Sequence, residues 1–253
     1  MGFDVIIPAR FQSTRLPGKP LVDLCGKPLI QWVYECAQQS RASMVVVATD
    51  DERVCGAVES FGGSVCMTAP THPSGTDRIA EAISTLDIPA DRVVVNLQGD
   101  EPQMPGELIN QVVDALEGSA RASIGTACHT IDNTADLLDP NVVKVIRDQQ
   151  GYALYFTRAP APWLQRCEDG TQDFEAVPRS AFRHIGLYAY RAGYVSQFAR
   201  RPPCELETIE RLEQLRTLWH GERIIVCEAS EMPGPGIDTP QDLERARQYL
   251  ASV

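Results

Sequence analysis

Short apolar runs alternate with segments whose apolar positions recur every three or four residues through the first half of the chain. That rhythm predicts parallel strands joined by crossover helices. Strands are expected over Phe3–Pro8, Met44–Thr49, Ser64–Thr68 and Arg92–Leu97, with helices at about 28–39, 51–61 and 76–86. The β-branched runs among them suit strands covered on both faces. From about residue 120 the rhythm changes. Strands near 122–129, 142–147, 152–157 and 185–190 are broken by a polar stretch, Gln165–Arg179, which reads as a surface loop or an oligomer-contact excursion. A helix over 205–219 would place Leu206, Ile209, Leu212, Leu215 and Leu218 on one stripe. A strand at Arg223–Glu228 then leads into a closing helix over 240–250, with Thr239 as N-cap and Pro240 at the first helical position. The fold class expected is α/β, with a mostly parallel central sheet flanked by helices and a smaller β-rich excursion in the second half.

Length and composition narrow the class. The 253 residues suffice for one large α/β domain with a substantial core, the organisation expected here, or for two small domains with a shared cleft, and an apolar share of 43% with 23% charged residues argues against disorder. No apolar run approaches a membrane span, and the segment from Met1 to Pro8 lacks the basic start of a signal peptide, so a cytoplasmic protein with no membrane partner is expected. The eight cysteines are scattered without a C-x-x-C pair and read as reduced thiols. A net charge of −11 argues against a nucleic-acid partner and makes any local basic cluster more informative.

One such cluster follows the first strand. Between Ala9 and Pro20 stand Arg10, Arg15 and Lys19 with no acid among them, at the strand end where open parallel sheets bind ligands. A polyanion is the natural guest, gripped by arginine forks and a lysine point charge, with Gly18 allowing close backbone approach. The alternative is a simple turn at Gly18-Lys19. A Walker motif is excluded by Ser13 and Pro20, and no G-x-G-x-x-G follows any strand.

Two acids extend the pattern. Asp100 follows the most apolar strand, where a carboxylate suits a hard cation such as Mg²⁺ or else closes an Asx turn. Asp238 follows Pro233-Gly234-Pro235-Gly236-Ile237, a segment able to return a distant carboxylate to the same cleft, unless it serves only as a helix cap. Ser74, Gly75 and Thr76 would offer donors at a helix start, and Arg78 adds a cation one turn in, a role compatible with ordinary capping.

These segments, taken in order with Ala48-Thr49-Asp50, Asn96 to Pro102, Asn141 to Lys144, Tyr152 to Arg158, His184 to Tyr190, Leu212 to Arg216 and Gly236 to Pro240, resemble the 3-deoxy-manno-octulosonate cytidylyltransferases. The resemblance spans almost the whole chain. It implies a nucleotide-diphospho-sugar transferase fold in one domain, 1–253, with a nucleotide-binding part to about residue 120 and a sugar-binding and dimer-contact part beyond. It also implies a homodimer that transfers CMP from CTP to the anomeric hydroxyl of 3-deoxy-manno-octulosonate (Kdo), for lipopolysaccharide inner cores. By resemblance Arg10, Arg15 and Lys19 meet the triphosphate. Pro8, Ala9, Ser74, Gly75, Thr76, Arg78 and Gln98 seat the nucleotide, and Asp100 and Asp238 hold Mg²⁺. Gln98, Arg158, His184, Tyr188, Glu213 and Gln214 line the sugar site. By sequence alone His184 reads also as a core histidine, Arg158 as a strand-end surface charge, and Glu213 and Gln214 as a solvated helix step. The rival functions are a cytidylyltransferase for a related acid sugar, sialic or 8-amino-Kdo, and an inactive sugar-nucleotide-binding regulator. The intact pair Asp100 and Asp238 speaks against the last.

Overall fold

The computed structural model describes residues 2–163 and 177–250. Most of the polar stretch 165–179 therefore lies outside the described residues. In chain order the strands are β1 (Phe3–Ala9), β2 (Asp23–Leu24), β3 (Lys27–Pro28), β4 (Met44–Thr49), β5 (Ser64–Met67), β6 (Val93–Asn96), β7 (Ala122–Thr130), β8 (Lys144–Arg147), β9 (Ala153–Thr157), β10 (Phe182–Arg191) and β11 (Arg223–Glu228). The helices are α1 (Leu29–Gln38), α2 (Glu52–Ser60), α3 (Gly75–Thr85), α4 (Gly106–Glu117), α5 (Thr134–Leu138), α6 (Ala192–Ala199), α7 (Glu205–Glu210), α8 (Leu215–Trp219) and α9 (Pro240–Leu250). Each strand and helix expected in the first half is present within a few residues.

The chain forms two compact units. The first comprises Met1–Val113, Leu187–Arg200 and Glu231–Val253. In it β1 pairs in parallel with β4 and β6, and β4 in parallel with β5, while the end of β10 runs antiparallel to β6. All seven residues of β1 and all four of β6 are buried, as strands covered on both faces require. The helices between them begin on side-chain caps: Asp51 accepts from Arg53 N at the start of α2, and Ser74 from Asp77 N at the start of α3.

The second unit comprises Asp114–Gly186 and Arg201–Ser230. Here β7 and β11 pair in parallel, while β8 pairs antiparallel with β9 and with the start of β10. The helix expected over 205–219 is broken. Arg211 adopts φ 54°, a left-handed conformation that ends α7, and α8 begins only at Leu215. The apolar stripe breaks with it: Leu212 and Leu215 are buried, but Ile209 is 68% exposed. Regular spacing of leucines suited one helix, and the left-handed residue reverses the chain between two short ones.

Candidate active site

Strand β1 ends at Ala9 and delivers the basic segment to the carboxyl edge of the parallel sheet. Gly18 has φ +68° and opens the short 3-10 turn that carries Lys19. The strand-end turn from β6 lies close to β1: a Cβ on Gly99 would come 2.9 Å from the Pro8 carbonyl oxygen, so glycine permits the approach that puts Asp100 beside this segment. Pro8, Ala9, Arg10, Gln12, Ser13, Thr14, Arg15, Lys19, Pro20, Gln98, Gly99 and Asp100 line one cavity of about 340 Å³.

At its floor Lys19 Nζ lies 2.7 Å from Asp100 Oδ2 and 2.8 Å from Asp238 Oδ1. Arg15 Nη2 reaches the same Asp238 oxygen at 3.0 Å. Burial alone would lower the Lys19 pKa, but the two carboxylates outweigh it and leave the ammonium's pKa above its usual value. The side chain of Lys19 is only 16% exposed, against 44% for Asp238.

Asp238 returns from far along the chain for two local reasons. Ile237 is fully buried in an apolar cluster with Leu16, Leu24 and Leu29, and its N–H donates to the Asp100 carbonyl at 2.9 Å. Cap duty at α9 falls to its neighbours: Asp242 N donates to Thr239 Oγ1, and Thr239 N donates back to Asp242 Oδ2. The carboxylate of Asp238 is thus left to the cations, and Thr239 and Pro240 occupy the helix start that their spacing predicts.

Arg10 donates to the His72 carbonyl at 2.6 Å, while the His72 ring meets Glu81, which also accepts from Ala69 N. Ser74, Gly75 and Thr76 stand at the start of α3, and a Cβ on Gly75 would touch the Pro8 ring and approach Gln98 Oε1. Gln98 Nε2 donates to the buried Asn96 at 2.9 Å. Arg78 is fully buried, with its forked nitrogens on Asp50 and Thr68. Its guanidinium braces the end of β4 through Asp50, the residue that follows that strand.

The residues expected at the sugar site divide between the units, Gln98 and Tyr188 in the first and Arg158, His184, Glu213 and Gln214 in the second. In the first, Tyr188 stacks on Tyr190 with ring centroids 5.9 Å apart. In the second, His184 Nε2 lies 3.0 Å from Thr126 Oγ1, and its ring meets Phe156 edge-on. Desolvation pushes its pKa down to about 3, so the imidazole is neutral at physiological pH. Arg158 is tied to Glu210 and Pro140. Gln214 is buried with Nε2 lacking an acceptor among the described residues, and Glu213 is about one third exposed.

The cytidylyltransferase family model matches residues 5–224. A 3-deoxy-manno-octulosonate cytidylyltransferase of Vibrio cholerae is 53% identical over 99% of this chain and 98% of its own length, and one of Aliivibrio fischeri is 53% identical over 99% and 100%. The chain belongs to the 3-deoxy-manno-octulosonate cytidylyltransferase family. A solved CMP:2-keto-3-deoxy-manno-octonic acid synthetase complexed with CTP superposes with a TM-score of 0.89 at 39% identity, covering 100% of this chain and 99% of that one. A 4-diphosphocytidyl-2C-methyl-D-erythritol synthase, 15% identical with a TM-score of 0.63 over 98% of both chains, shares the fold.

For a cytidylyltransferase of this family, the structure adds residues that pattern reading passed over. Asp50, Thr68, His72 and Glu81 support Arg78 and Arg10, and Glu210 supports Arg158. In the sequence Asp50 stood within a quoted motif but without a role. His72 acts through its backbone carbonyl, Thr68 and Glu210 stand at element ends, and Glu81 acts by a side-chain contact on the His72 ring that no local pattern announces. Among the described residues no helix is long and apolar enough to cross a membrane, and the seven described cysteines are free.

Proposed function

We infer that the protein transfers CMP from CTP to the anomeric C2 hydroxyl of Kdo and releases pyrophosphate. The observation that carries this reading is Lys19, whose ammonium bridges Asp100 and Asp238 at the end of a basic, acid-free loop in a family of cytidylyltransferases.

Both substrates are anions, so the chain must first bring like charges together. Arg10 and Arg15 provide forked donors for phosphate oxygens, and Lys19 provides a point charge that moves with the triphosphate. The sugar hydroxyl attacks the α-phosphorus in line and gives up its proton to the solvent, the bond from that phosphorus to the bridging oxygen breaks, and pyrophosphate leaves with the electron pair. No protein nucleophile enters the balance. Positioning and charge neutralisation therefore account for most of the acceleration.

Asp100 and Asp238 fit a hard divalent cation. Two carboxylate oxygens already converge on one positive centre, the Lys19 ammonium, and two is the number of carboxylates Mg²⁺ takes when phosphates and water complete its shell. Mg²⁺ held there would supply Lewis-acid neutralisation of charge on the phosphate oxygens. In the second unit the sugar's hydroxyls would find a neutral His184 and the Gln214 amide. Its carboxylate would find Arg158. A cytoplasmic homodimer remains the family expectation, open to light scattering of the purified chain.

The test is pyrophosphate release measured with all four nucleoside triphosphates against Kdo, 8-amino-Kdo and a sialic acid, each with and without Mg²⁺. CTP with Kdo is expected to turn over at least a hundredfold faster than ATP or GTP, and only with the divalent ion. Equal turnover with purine triphosphates would overturn the cytidine assignment, and faster turnover with another acid sugar would move the assignment to that sugar.

A further inference from the structure

Glu210 makes more directed contacts than a helix-end surface acid needs. Its Oε1 accepts from Thr157 Oγ1 at 2.7 Å, its Oε2 from the Arg158 backbone N at 2.9 Å, and its carbonyl oxygen from Arg158 Nε at 2.8 Å. Carboxylate and carbonyl of one residue thus hold both the main chain and the side chain of Arg158. The carbonyl is available because α7 stops there. Carbonyls in the last turn of a helix have no partner within it, and Arg211 at φ 54° ends the helix directly after Glu210.

The other side of Arg158 is equally constrained. Nη1 donates to the Pro140 carbonyl at 3.0 Å. The loop carrying that carbonyl is drawn around Lys144, which is fully buried and donates to the carbonyls of Asp139 and Val142. Lys144 stands directly across the β8–β9 pair from Thr157, the residue on the other Glu210 oxygen. With Nε and Nη1 committed, Nη2 has no acceptor among the described residues and is the open corner of the guanidinium. Arginine's long side chain loses rotamer freedom when a ligand fixes it, so fixing it before the ligand arrives removes that cost from binding.

We propose that Glu210 is a positioning residue for the sugar substrate: it locks Arg158 with one donor free for the carboxylate of the acid sugar, and ties the end of β9 to the turn that carries Glu213 and Gln214. The proposal rests on the reading of Arg158 as a sugar-site residue. Glu210 itself touches no substrate. Its removal is therefore expected to change the sugar requirement and leave the nucleotide alone.

The experiment is steady-state kinetics of the full chain with CTP and Kdo for Glu210→Ala, Glu210→Gln, Arg158→Ala and the double variant Glu210→Ala/Arg158→Ala, each beside thermal melting. Glu210→Ala should raise the KM for Kdo tenfold or more and leave the KM for CTP within twofold. Glu210→Gln keeps the shape and one acceptor, so it should fold even if the alanine variant does not, with an intermediate KM for Kdo. In the Arg158→Ala background, Glu210→Ala should add less than a further twofold, because the residue it positions is gone. Full additivity in the double variant, or a parallel rise in both KM values, would overturn the positioning role while leaving the sugar-site reading intact. An Arg158→Ala variant with an unchanged KM for Kdo would instead overturn the sugar-site reading of Arg158, and with it the role of Glu210.

Discussion

Lys19 Nζ lies 2.8 Å from Asp238 Oδ1 although the two residues are 219 positions apart. The contact places a carboxylate from the last part of the chain on the loop that follows the first strand, and it is shared with Asp100 at 2.7 Å. A salt bridge exposed at one end contributes at most about 1 kcal/mol to stability. An arrangement that spends so much chain for so little stability is better explained by what the three groups do with phosphate and cation.

Asp238→Asn and Asp100→Asn should each lower kcat at least a hundredfold at saturating substrates. Both replacements are nearly isosteric, and neither removes apolar contact, so the melting temperature should shift by only a few degrees. Activity across a Mg²⁺ titration beside thermal melting checks this. Near-normal turnover at low Mg²⁺ in either variant would make that acid a turn residue only.

Lys19→Met keeps the length of the side chain and removes its charge. It should lower kcat more than it weakens CTP binding, because the ammonium helps most as charge moves onto the leaving pyrophosphate. Single-turnover rates set against equilibrium CTP titration separate the two quantities. Weak CTP binding with full turnover at saturation would make Lys19 an anchor.

Asp50→Ala should be among the most destabilising single changes in the first unit. Arg78 is fully buried and its Nη2 lies 2.8 Å from Asp50, so removing the acid leaves an uncompensated interior charge, at a cost of about 3–5 kcal/mol. Urea melts of the two proteins give the difference directly. A loss below about 1 kcal/mol would mean that solvent or other groups satisfy the guanidinium.

Stability should fall in acid through His184. Its folded pKa, about 3, lies below the ordinary histidine value of 6.5, so the unfolded chain binds the proton first as pH drops. The contribution is fully present above pH 6.5 and is lost as pH falls toward 3. Between pH 7 and pH 5 the expected loss is about 2 kcal/mol. His184→Gln removes the titration, so the wild-type protein should lose that much more over this interval than the variant, whose carboxylates titrate alike. Parallel curves for the two proteins would show that His184 ionises freely in the fold.

Much of the first unit was legible before any coordinates. Buried parallel strands are nearly continuous β-branched runs and caps are short polar signals, so β1, β4 and β6 and the starts of α2, α3 and α9 could be read from neighbours in the chain. The basic loop stood out because its three cations have no acid among them in an acidic protein. The helix expected over 205–219 failed for a reason of the same kind: apolar residues recurring every third position suggest a helical stripe, and nothing local announces that Arg211 will turn left-handed.

The chain by itself thus determined the sheet, the caps, the basic loop and the candidate acids, because each depends on residues a few positions apart. Only the tertiary structure decided which acid meets which cation. Burial of Ile237 and one backbone hydrogen bond to Asp100 carry Asp238 to Lys19, the Asp50 and Thr68 side chains hold the buried Arg78, and the end of α7 turns the Glu210 carbonyl onto Arg158. Those pairings join residues far apart in the chain, through packing, backbone groups and side-chain contacts that only the fold brings together, so no local pattern in the sequence could signal them.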